Sequence, residues 1–366
     1  MTIYKDISYL QMCYALAEKA LGWASPNPYV GAVIVKNGMI VGHGYHERSG
    51  KPHAEAVALD KAGSKAKDGT AYINLEPCVH WGRTPPCIDK ILEAELRRVV
   101  ISSIDPNPLV NGKGIEKMRK AGIEVSLGLL KERNNLLNEA YLKYIQHGSP
   151  FVTLKTAVSL DGKTATRAHS SKWISSSPTR NYMHLLRGEH DSVMVGINTI
   201  LKDDPRLTVR HPSWPGKKIT RVILDSNLRF PLKSKLLSTL SKGDIVIFTL
   251  KRENSKKKDI LQKKGVKVIP VHGKNNKVNI KKALAWLGKN KISSVLVEGG
   301  SVLHTHMLES KTVDKILISI SPKLVGGKFS PSFFEGKGAE TIKKSMKLKK
   351  IKTFKIDHDI IVQGYL

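Results

Sequence analysis

The feature that most constrains this chain is a set of metal-binding residue types in its N-terminal part: His53-Ala54-Glu55, then Pro77-Cys78, then Cys87. One imidazole and two thiolates give Zn²⁺ three protein ligands and leave a fourth position open, as in a catalytic site; a structural zinc is closed by four. A fold must bring such ligands to one point, here from the start of a helix at His53 and the end of a strand at Glu76-Pro77-Cys78. Glu55 lies two residues past a ligand, placed to contact a water on the metal and not the metal itself. Zinc lowers the pKa of that water toward neutrality, and a carboxylate beside it can take the proton and hand it to a leaving group. A structural zinc knuckle, the plain alternative, has no use for Glu55.

The surrounding pattern predicts alternating helices and strands, hence a layered α/β domain. Residues 8–22 read as an amphipathic helix. Val30–Val35 and Met39–Gly44 form a hairpin through Lys36-Asn37-Gly38, a turn signal that suits two positive φ values. Further helices are predicted at 53–62, 86–94, 112–121 and 134–145, and strands at 71–75, 99–102 and 124–127. His147-Gly148-Ser149-Pro150 then breaks the pattern, so a domain boundary is expected near residue 148. Beyond it a second α/β series has strands at 151–158, 192–196, 221–224, 244–249, 266–270, 294–297 and 315–320. Thr353–Val362 reads as two edge strands around an Asp-containing turn.

The order His-x-Glu … Pro-Cys … Cys is the pattern of zinc-dependent nucleobase deaminases, with one departure. Eight residues, not two, separate Cys78 from Cys87. That insert decides the family: Glu76-Pro77-Cys78-x-His80-x-Gly82-Arg83-Thr84-Pro85-Pro86-Cys87 closely resembles the deaminase half of the bifunctional riboflavin-biosynthesis proteins. Pro26-Asn27-Pro28-Tyr29-Val30-Gly31 and Gly42-His43-Gly44-Tyr45-His46 resemble the family's substrate-binding segments. The resemblance implies a cytidine-deaminase-like α/β/α domain over 1–148, with one zinc on His53, Cys78 and Cys87 and with Glu55 catalytic. It also implies that Asn27, His46, His80 and Arg83 hold a pyrimidine and its ribose phosphate. On residue type alone, His46 and His80 read instead as ordinary capping or solvent-facing histidines.

The second half carries no Gly-x-Gly-x-x-Gly fingerprint. Its Gly turns after strands, at Val195-Gly196-Ile197-Asn198-Thr199 and Val297-Glu298-Gly299-Gly300-Ser301, could admit a phosphate to backbone amides but are individually ordinary. Together, and in order with Leu186-Arg187 and Asp203-Asp204-Pro205-x-Leu207-Thr208-Val209-Arg210, they resemble the reductase half of the same family. That resemblance, weakest over 251–291, implies a dihydrofolate-reductase-like α/β domain over 149–366 that uses NADPH. Ala157, Trp173, Thr199, Asp203, Ser226, Gly299, Gly300 and Ser301 would line the cofactor site. Lys155, Ser171, Arg187, Leu207, Arg210 and Glu298 would meet the substrate, with Arg187 and Arg210 suited to a phosphate. The expected reactions are deamination of 2,5-diamino-6-(5-phosphoribosylamino)pyrimidin-4-one and then reduction of the ribosyl chain of 5-amino-6-(5-phosphoribosylamino)uracil to ribityl.

Charge supplies the rival reading. The chain is +30 overall, with +4 in residues 1–146 and +26 in 147–366. A basic half can signal nucleic acid, which would make this a tRNA or nucleoside deaminase with an RNA-binding appendage. However, 47 of the 61 basic residues are lysine, and runs such as Lys256-Lys257-Lys258 lack the interleaved aromatics that stack bases. Phosphorylated pyrimidines, with no nucleic acid or membrane, are the expected partners, in an oligomer of identical subunits. Three cysteines, Cys13 among them as a core residue, are too few for a disulfide framework. With no apolar run long enough to span a bilayer and no secretory pattern at the N-terminus, a cytoplasmic location is expected.

Overall fold

Asn37 and Gly38 adopt φ of 50° and 78°, the paired left-handed values that let two residues join antiparallel strands without splaying them. They connect β1 (Gly31–Lys36) to β2 (Met39–Tyr45). The computed structural model describes residues 2–250, 255–273 and 276–366, and the chain divides into two units, Met1–Gly148 and Ser149–Leu366.

In the first unit β3 (Thr70–Ile73), β4 (Arg98–Ile101) and β5 (Glu124–Leu127) complete a five-stranded sheet of order β2-β1-β3-β4-β5. The β1 pairings are antiparallel, and β3-β4 and β4-β5 are parallel. Leu10 and Cys13 from the N-terminal helix pack with Val33 and Val100 on one face of the sheet. Ala54, Ala58, Ile88 and Met118 from three other helices pack with Ile34, Ile73 and Ile101 on the other. These are the alternate residues of each strand, as a two-residue period requires.

Three differences from the sequence reading have physical causes. The first helix runs Thr2–Glu18 and not 8–22. Its first turns are held by Asp6, which is buried and accepts from Arg98 at 3.0 and 2.9 Å and from Tyr72 at 2.9 Å. The helix predicted over 134–145 is two, Lys131–Leu137 and Glu139–His147, with Asn138 between them at φ −103°, ψ 18°. The buried Asn138 bonds across to the Tyr29 backbone, accepting from its N–H at 2.7 Å and donating to its carbonyl at 3.1 Å. β3 stops at Ile73, so Glu76-Pro77-Cys78 lies in the following loop; Pro77 has no N–H with which to continue a ladder.

The second unit is built on a nine-stranded sheet of β6 (Phe151–Ser159), β7 (Ser192–Gly196), β8 (Thr220–Leu224), β9 (Ile245–Thr249), β10 (Lys267–Pro270), β11 (Ser294–Glu298), β12 (Lys315–Ser321), β13 (Lys349–Ile356) and β14 (Asp359–Tyr365). Their order is β10-β9-β8-β7-β11-β6-β12-β14-β13. The first seven in that order run parallel, and β14 and β13 are antiparallel additions. β14 is therefore internal, not the edge strand the sequence suggested; β13 alone holds that edge. The parallel strands are buried on both faces, with Val152, Val222 and Val297 in one cluster and Val193, Ile223 and Ile247 in another. In such sheets ligands bind where the carboxyl ends of the strands open.

Candidate functional site

His53 is the N-cap of the helix Ala54–Ala62, at φ −74° and ψ 163°. That helix lies directly on β2 because glycines leave the room. A Cβ on Gly42 would fall 2.1 Å from the Ala58 carbonyl oxygen, and one on Gly44 2.7 Å from Val57 Cβ. Cys87 is the first residue of the helix Cys87–Glu93, entered through Pro86, a residue whose φ suits the start of a helix. Cys78 is placed from behind by Glu76. This buried carboxylate accepts backbone N–H bonds from Asp105 and Ile115 at 3.3 Å and from Gly112 and Gly114 at 2.9 Å. The sequence reading used Glu76 only as part of a motif and missed this anchoring role.

His53 Nδ1 and the two Sγ atoms all lie within 4.8 Å of one another. His53 Nδ1 is 3.1 Å from Cys87 Sγ and 3.5 Å from Cys78 Sγ. On its other side His53 Nε2 lies 3.3 Å from Thr84 Oγ1. Donation from Nε2–H to that hydroxyl turns the Nδ1 lone pair toward the sulfurs, the orientation a metal-ligating imidazole needs. One imidazole nitrogen and two thiolates are a donor set that suits zinc. A hydrogen bond with Cys87 and, beyond it, one with His53 draw the Cys78 thiol well below its ordinary value, although burial opposes them. Cys87 is pushed up by the same partner and by burial. Glu55 is 4% exposed, and burial pushes its carboxyl up to about 7. A proton can thus be gained and lost there near neutral pH, as acid–base chemistry requires.

Around this trio, Asn27 Nδ2 lies 3.0 Å from His46 Nε2, and His46 Nδ1 lies 3.1 Å from the Pro52 carbonyl. The neutral tautomer with Nδ1–H donating satisfies both contacts, and burial lowers the His46 pKa in keeping with it. The His46 and His53 rings meet edge to face with centroids 5.0 Å apart. His80 keeps a buried Nδ1 that has no partner among the described residues. Arg83 is exposed, its Nη1 3.4 Å from Ser49 Oγ. The chain two residues beyond Asn27 is steadied by residues the sequence did not single out. Asn74 and Asn138, both buried, donate to the Tyr29 carbonyl at 2.9 and 3.1 Å, and both also bond Asn134.

In the second unit a cavity of about 790 Å³ opens along the ends of β6, β11, β7 and β8. Ala157, Trp173, Thr199, Asp203, Ser226, Gly299, Gly300, Ser301, Lys155, Ser171, Arg187, Leu207 and Glu298 all line it. Lys155 and Glu298 are register partners on β6 and β11. Arg187 is largely committed inside the protein: Nε and Nη2 donate to Glu298 at 3.0 and 2.8 Å, and Nη1 donates to the Thr208 carbonyl at 2.9 Å. Arg210 is not on the cavity wall; its Nη2 lies 3.2 Å from His184 Nε2. Asp203 faces the cavity, whereas Asp204 accepts from Ser234 Oγ at 2.7 Å and Lys235 N at 3.0 Å and serves as a turn anchor. Lys202, Arg229 and Lys277 also line the cavity without having been singled out; Arg229 lies three residues past Ser226, and Lys277 falls where the family resemblance is weakest.

Residues 3–103 match the family described as the cytidine and deoxycytidylate deaminase zinc-binding region, and residues 150–362 match the RibD C-terminal domain. Riboflavin biosynthesis protein RibD of Aquifex aeolicus is 45% identical over 98% of this chain and 97% of its own length. The RibD of Escherichia coli is 37% identical over 88% of this chain and 89% of its own. Among solved structures, Acinetobacter baumannii RibD aligns with a TM-score of 0.88 at 34% identity, over 99% of both chains. A Thermotoga maritima protein described as a diaminohydroxyphosphoribosylaminopyrimidine deaminase/5-amino-6-(5-phosphoribosylamino)uracil reductase aligns with a TM-score of 0.87 at 33% identity, over 100% of this chain and 99% of that one.

Proposed function

This chain belongs to the RibD family of riboflavin biosynthesis proteins, and we propose that its two units divide that family's two activities, deamination in residues 1–148 and reduction in 149–366. It is a bifunctional enzyme, a deaminase and a reductase. The observation that carries the deaminase assignment is the convergence of His53, Cys78 and Cys87 beside a buried Glu55.

His53 Nδ1 and the two thiolates would hold one zinc, which would supply a water activated at neutral pH. Glu55 would take up the proton released when water adds to C2 of the pyrimidinone and return it to the departing amine, which would leave as ammonia. Asn27 and His46 orient the ring, His80 Nδ1 offers it an open hydrogen-bonding position, and Arg83 meets the ribose phosphate.

NADPH, when bound, would supply the hydride for the second reaction. Gly299, Gly300 and Ser301, at the start of the helix Ser301–Glu309, let the backbone approach its phosphates. Burial opposes ionisation of Glu298, but the charges of Arg187 and Lys155 prevail and hold it at about 2. It therefore accepts hydrogen bonds from the sugar while Lys155 donates them. Ser171 and Leu207 complete the substrate side from the cavity wall, Arg210 would reach the substrate's phosphate from off that wall, and Ala157, Trp173, Thr199, Asp203 and Ser226 form the cofactor side.

Phosphorylated pyrimidines are the partners that this reading requires, in a cytoplasmic enzyme of identical subunits. Among the described residues no helix is long and apolar enough to cross a membrane. The alternative of an RNA-binding second half is not favoured, because residues 150–362 match the RibD C-terminal domain.

The test is to incubate purified protein with the diaminopyrimidinone phosphate, following ammonia release and NADPH oxidation separately, with zinc content measured alongside. About one zinc per chain is expected, lost together with ammonia release in Cys78→Ser and Cys87→Ser. Full zinc occupancy in both variants would overturn the ligand assignment.

A further inference from the structure

In the first unit β1 and β3 run side by side as far as Ala32 and Ile73 and then part. Carried one residue further, their register would set Gly31 opposite Asn74. From that point one chain leads back through Tyr29 to Asn27, and the other leads on through Glu76 to Cys78. The segment that carries Asn27 and the segment that carries Cys78 are thus two arms of one fork in the sheet. How far the arms stand apart decides where a molecule held by one meets what is held by the other.

Three asparagines, Asn74, Asn134 and Asn138, sit in the fork with no exposed surface. Asn74 Oδ1 accepts from Gly31 N at 2.8 Å, and its Nδ2 donates to the Tyr29 carbonyl at 2.9 Å and to Asn134 Oδ1 at 3.1 Å. Asn138 Oδ1 accepts from Tyr29 N at 2.7 Å, and its Nδ2 divides between the Tyr29 carbonyl at 3.1 Å and Asn134 Oδ1 at 3.0 Å. Each of these two amides uses both of its hydrogens. Side chains so supply Tyr29 and Gly31 with the bonds that a ladder partner would give. On the alternate side of the same segment the Val30 carbonyl accepts from His46 N at 3.0 Å. The trio leaves Asn134 Nδ2 buried with no partner among the described residues, which costs stability; what the arrangement gives is a fixed place for the Tyr29 backbone.

Asn134 and Asn138 reach the fork from the last two helices of the unit. Asn74 differs from them, for it belongs to one arm by chain and to the other by its hydrogen bonds. It stands four residues before Cys78 and holds two residues of the Asn27 arm. We infer that Asn74 is a positioning residue of the deaminase, a crossbar that sets where Asn27 stands relative to Cys78. This assignment rests on the deaminase reading above. With no exposed surface, Asn74 acts through the Tyr29 and Gly31 backbone and not on the substrate itself. Cys78 has its own anchor in the amides around Glu76. Loss of the crossbar therefore frees the Asn27 arm and leaves the metal arm in place.

Steady-state deamination, zinc content and amide hydrogen exchange of the full-length protein test this together. In Asn74→Ala, KM for the diaminopyrimidinone phosphate should rise about 5- to 20-fold, with kcat within about 3-fold, the pattern of a lost holding interaction. Zinc should stay at about one per chain, and the amides of residues 29–31 should exchange faster than in wild type. Reduction of already deaminated substrate should be unchanged. Asn134→Ala keeps the Asn74 bonds to the Asn27 arm and removes only their shared support, so a rise in KM of about 2- to 5-fold is expected. Val33→Ala, fully buried in β1 under the first helix, is the control for general loosening, and its KM should stay within about 2-fold of wild type. A wild-type KM in Asn74→Ala overturns the crossbar, and so does an equal rise in Val33→Ala. Zinc lost along with the rise in KM also overturns it, because Asn74 would then serve the metal arm. If Asn74→Ala does not fold, Asn134→Ala decides, and a wild-type KM there overturns the assignment. A wild-type protein that releases no ammonia overturns the deaminase reading, and the inference with it.

Discussion

Arg187 and Glu298 face each other through two hydrogen bonds of 3.0 and 2.8 Å, bridging residues 111 positions apart in the chain. The side chains are only 9% and 16% exposed. A fork-to-carboxylate pair so shielded is held more firmly than a surface ion pair. It also turns an arginine that the sequence offered as a phosphate ligand into a support for the carboxylate beside the substrate.

The pair sets an acid limit on the second unit. Burial favours the neutral acid, and Arg187 and Lys155 outweigh it, so the Glu298 carboxyl titrates at about 2; its unfolded value is about 4.3. A depressed carboxyl stabilises the fold above the unfolded value and loses that contribution as pH falls through the folded one. The contribution at neutral pH is on the order of 3 kcal/mol. Urea melts of wild type and Glu298→Gln between pH 7 and 2 should show the difference between them shrinking below about pH 4.3. A difference that is constant over the whole range would contradict the pairing.

Glu55→Gln should keep its zinc, because the carboxylate is not a ligand, and lose deamination by roughly 10²-fold or more. Reduction of already deaminated substrate should be unchanged. Ammonia release at the wild-type rate would show that another group moves the protons.

Gly42→Ala tests how the zinc ligand His53 is placed. The added methyl would meet the Ala58 carbonyl oxygen at 2.1 Å, so the helix that starts after His53 must lift. Overpacking of this kind costs about 1–3 kcal/mol. We expect zinc to be lost more readily to a chelator and deamination to fall, with reduction unaffected. Zinc retention equal to wild type would mean that the helix lifts without carrying His53 along.

A fragment spanning 149–366 should reduce 5-amino-6-(5-phosphoribosylamino)uracil with NADPH and release no ammonia, because the second unit has its own sheet, its own clusters and its own cavity. A cooperative thermal transition must first show that it is folded. A folded fragment that neither binds nor oxidises NADPH would sink the assignment of reduction to this unit, and leave the deaminase residues untouched.

Local chemistry was legible in the chain and distant partnerships were not. Asn37-Gly38 announces its own turn because the turn's backbone angles depend on those two residues alone. The parallel strands announce themselves as continuous apolar runs. The start of the first helix, by contrast, depends on Asp6 finding Arg98, and the break at Asn138 depends on the Tyr29 backbone. Pattern within a window cannot register either. The same division runs through the sites. His53, Glu55, Cys78 and Cys87 were visible as residue types in order. The anchoring of Glu76 by four amides and the commitment of Arg187 to Glu298 both belong to the folded chain.

Cys78 and Cys87 are positioned independently, one from Glu76 and the other from the first turn of a helix, and they are joined directly where Cys87 N meets Cys78 Sγ at 3.3 Å and Ile88 N meets the Cys78 carbonyl at 3.2 Å. The eight residues between them hang like a strap from two riveted posts. Such a strap can be re-embroidered without tugging on the rivets so long as the Thr84 hydroxyl stays on His53 Nε2. Transplanting it between related chains should therefore retune which molecules are welcomed at the doorway while the hardware behind stays as it was.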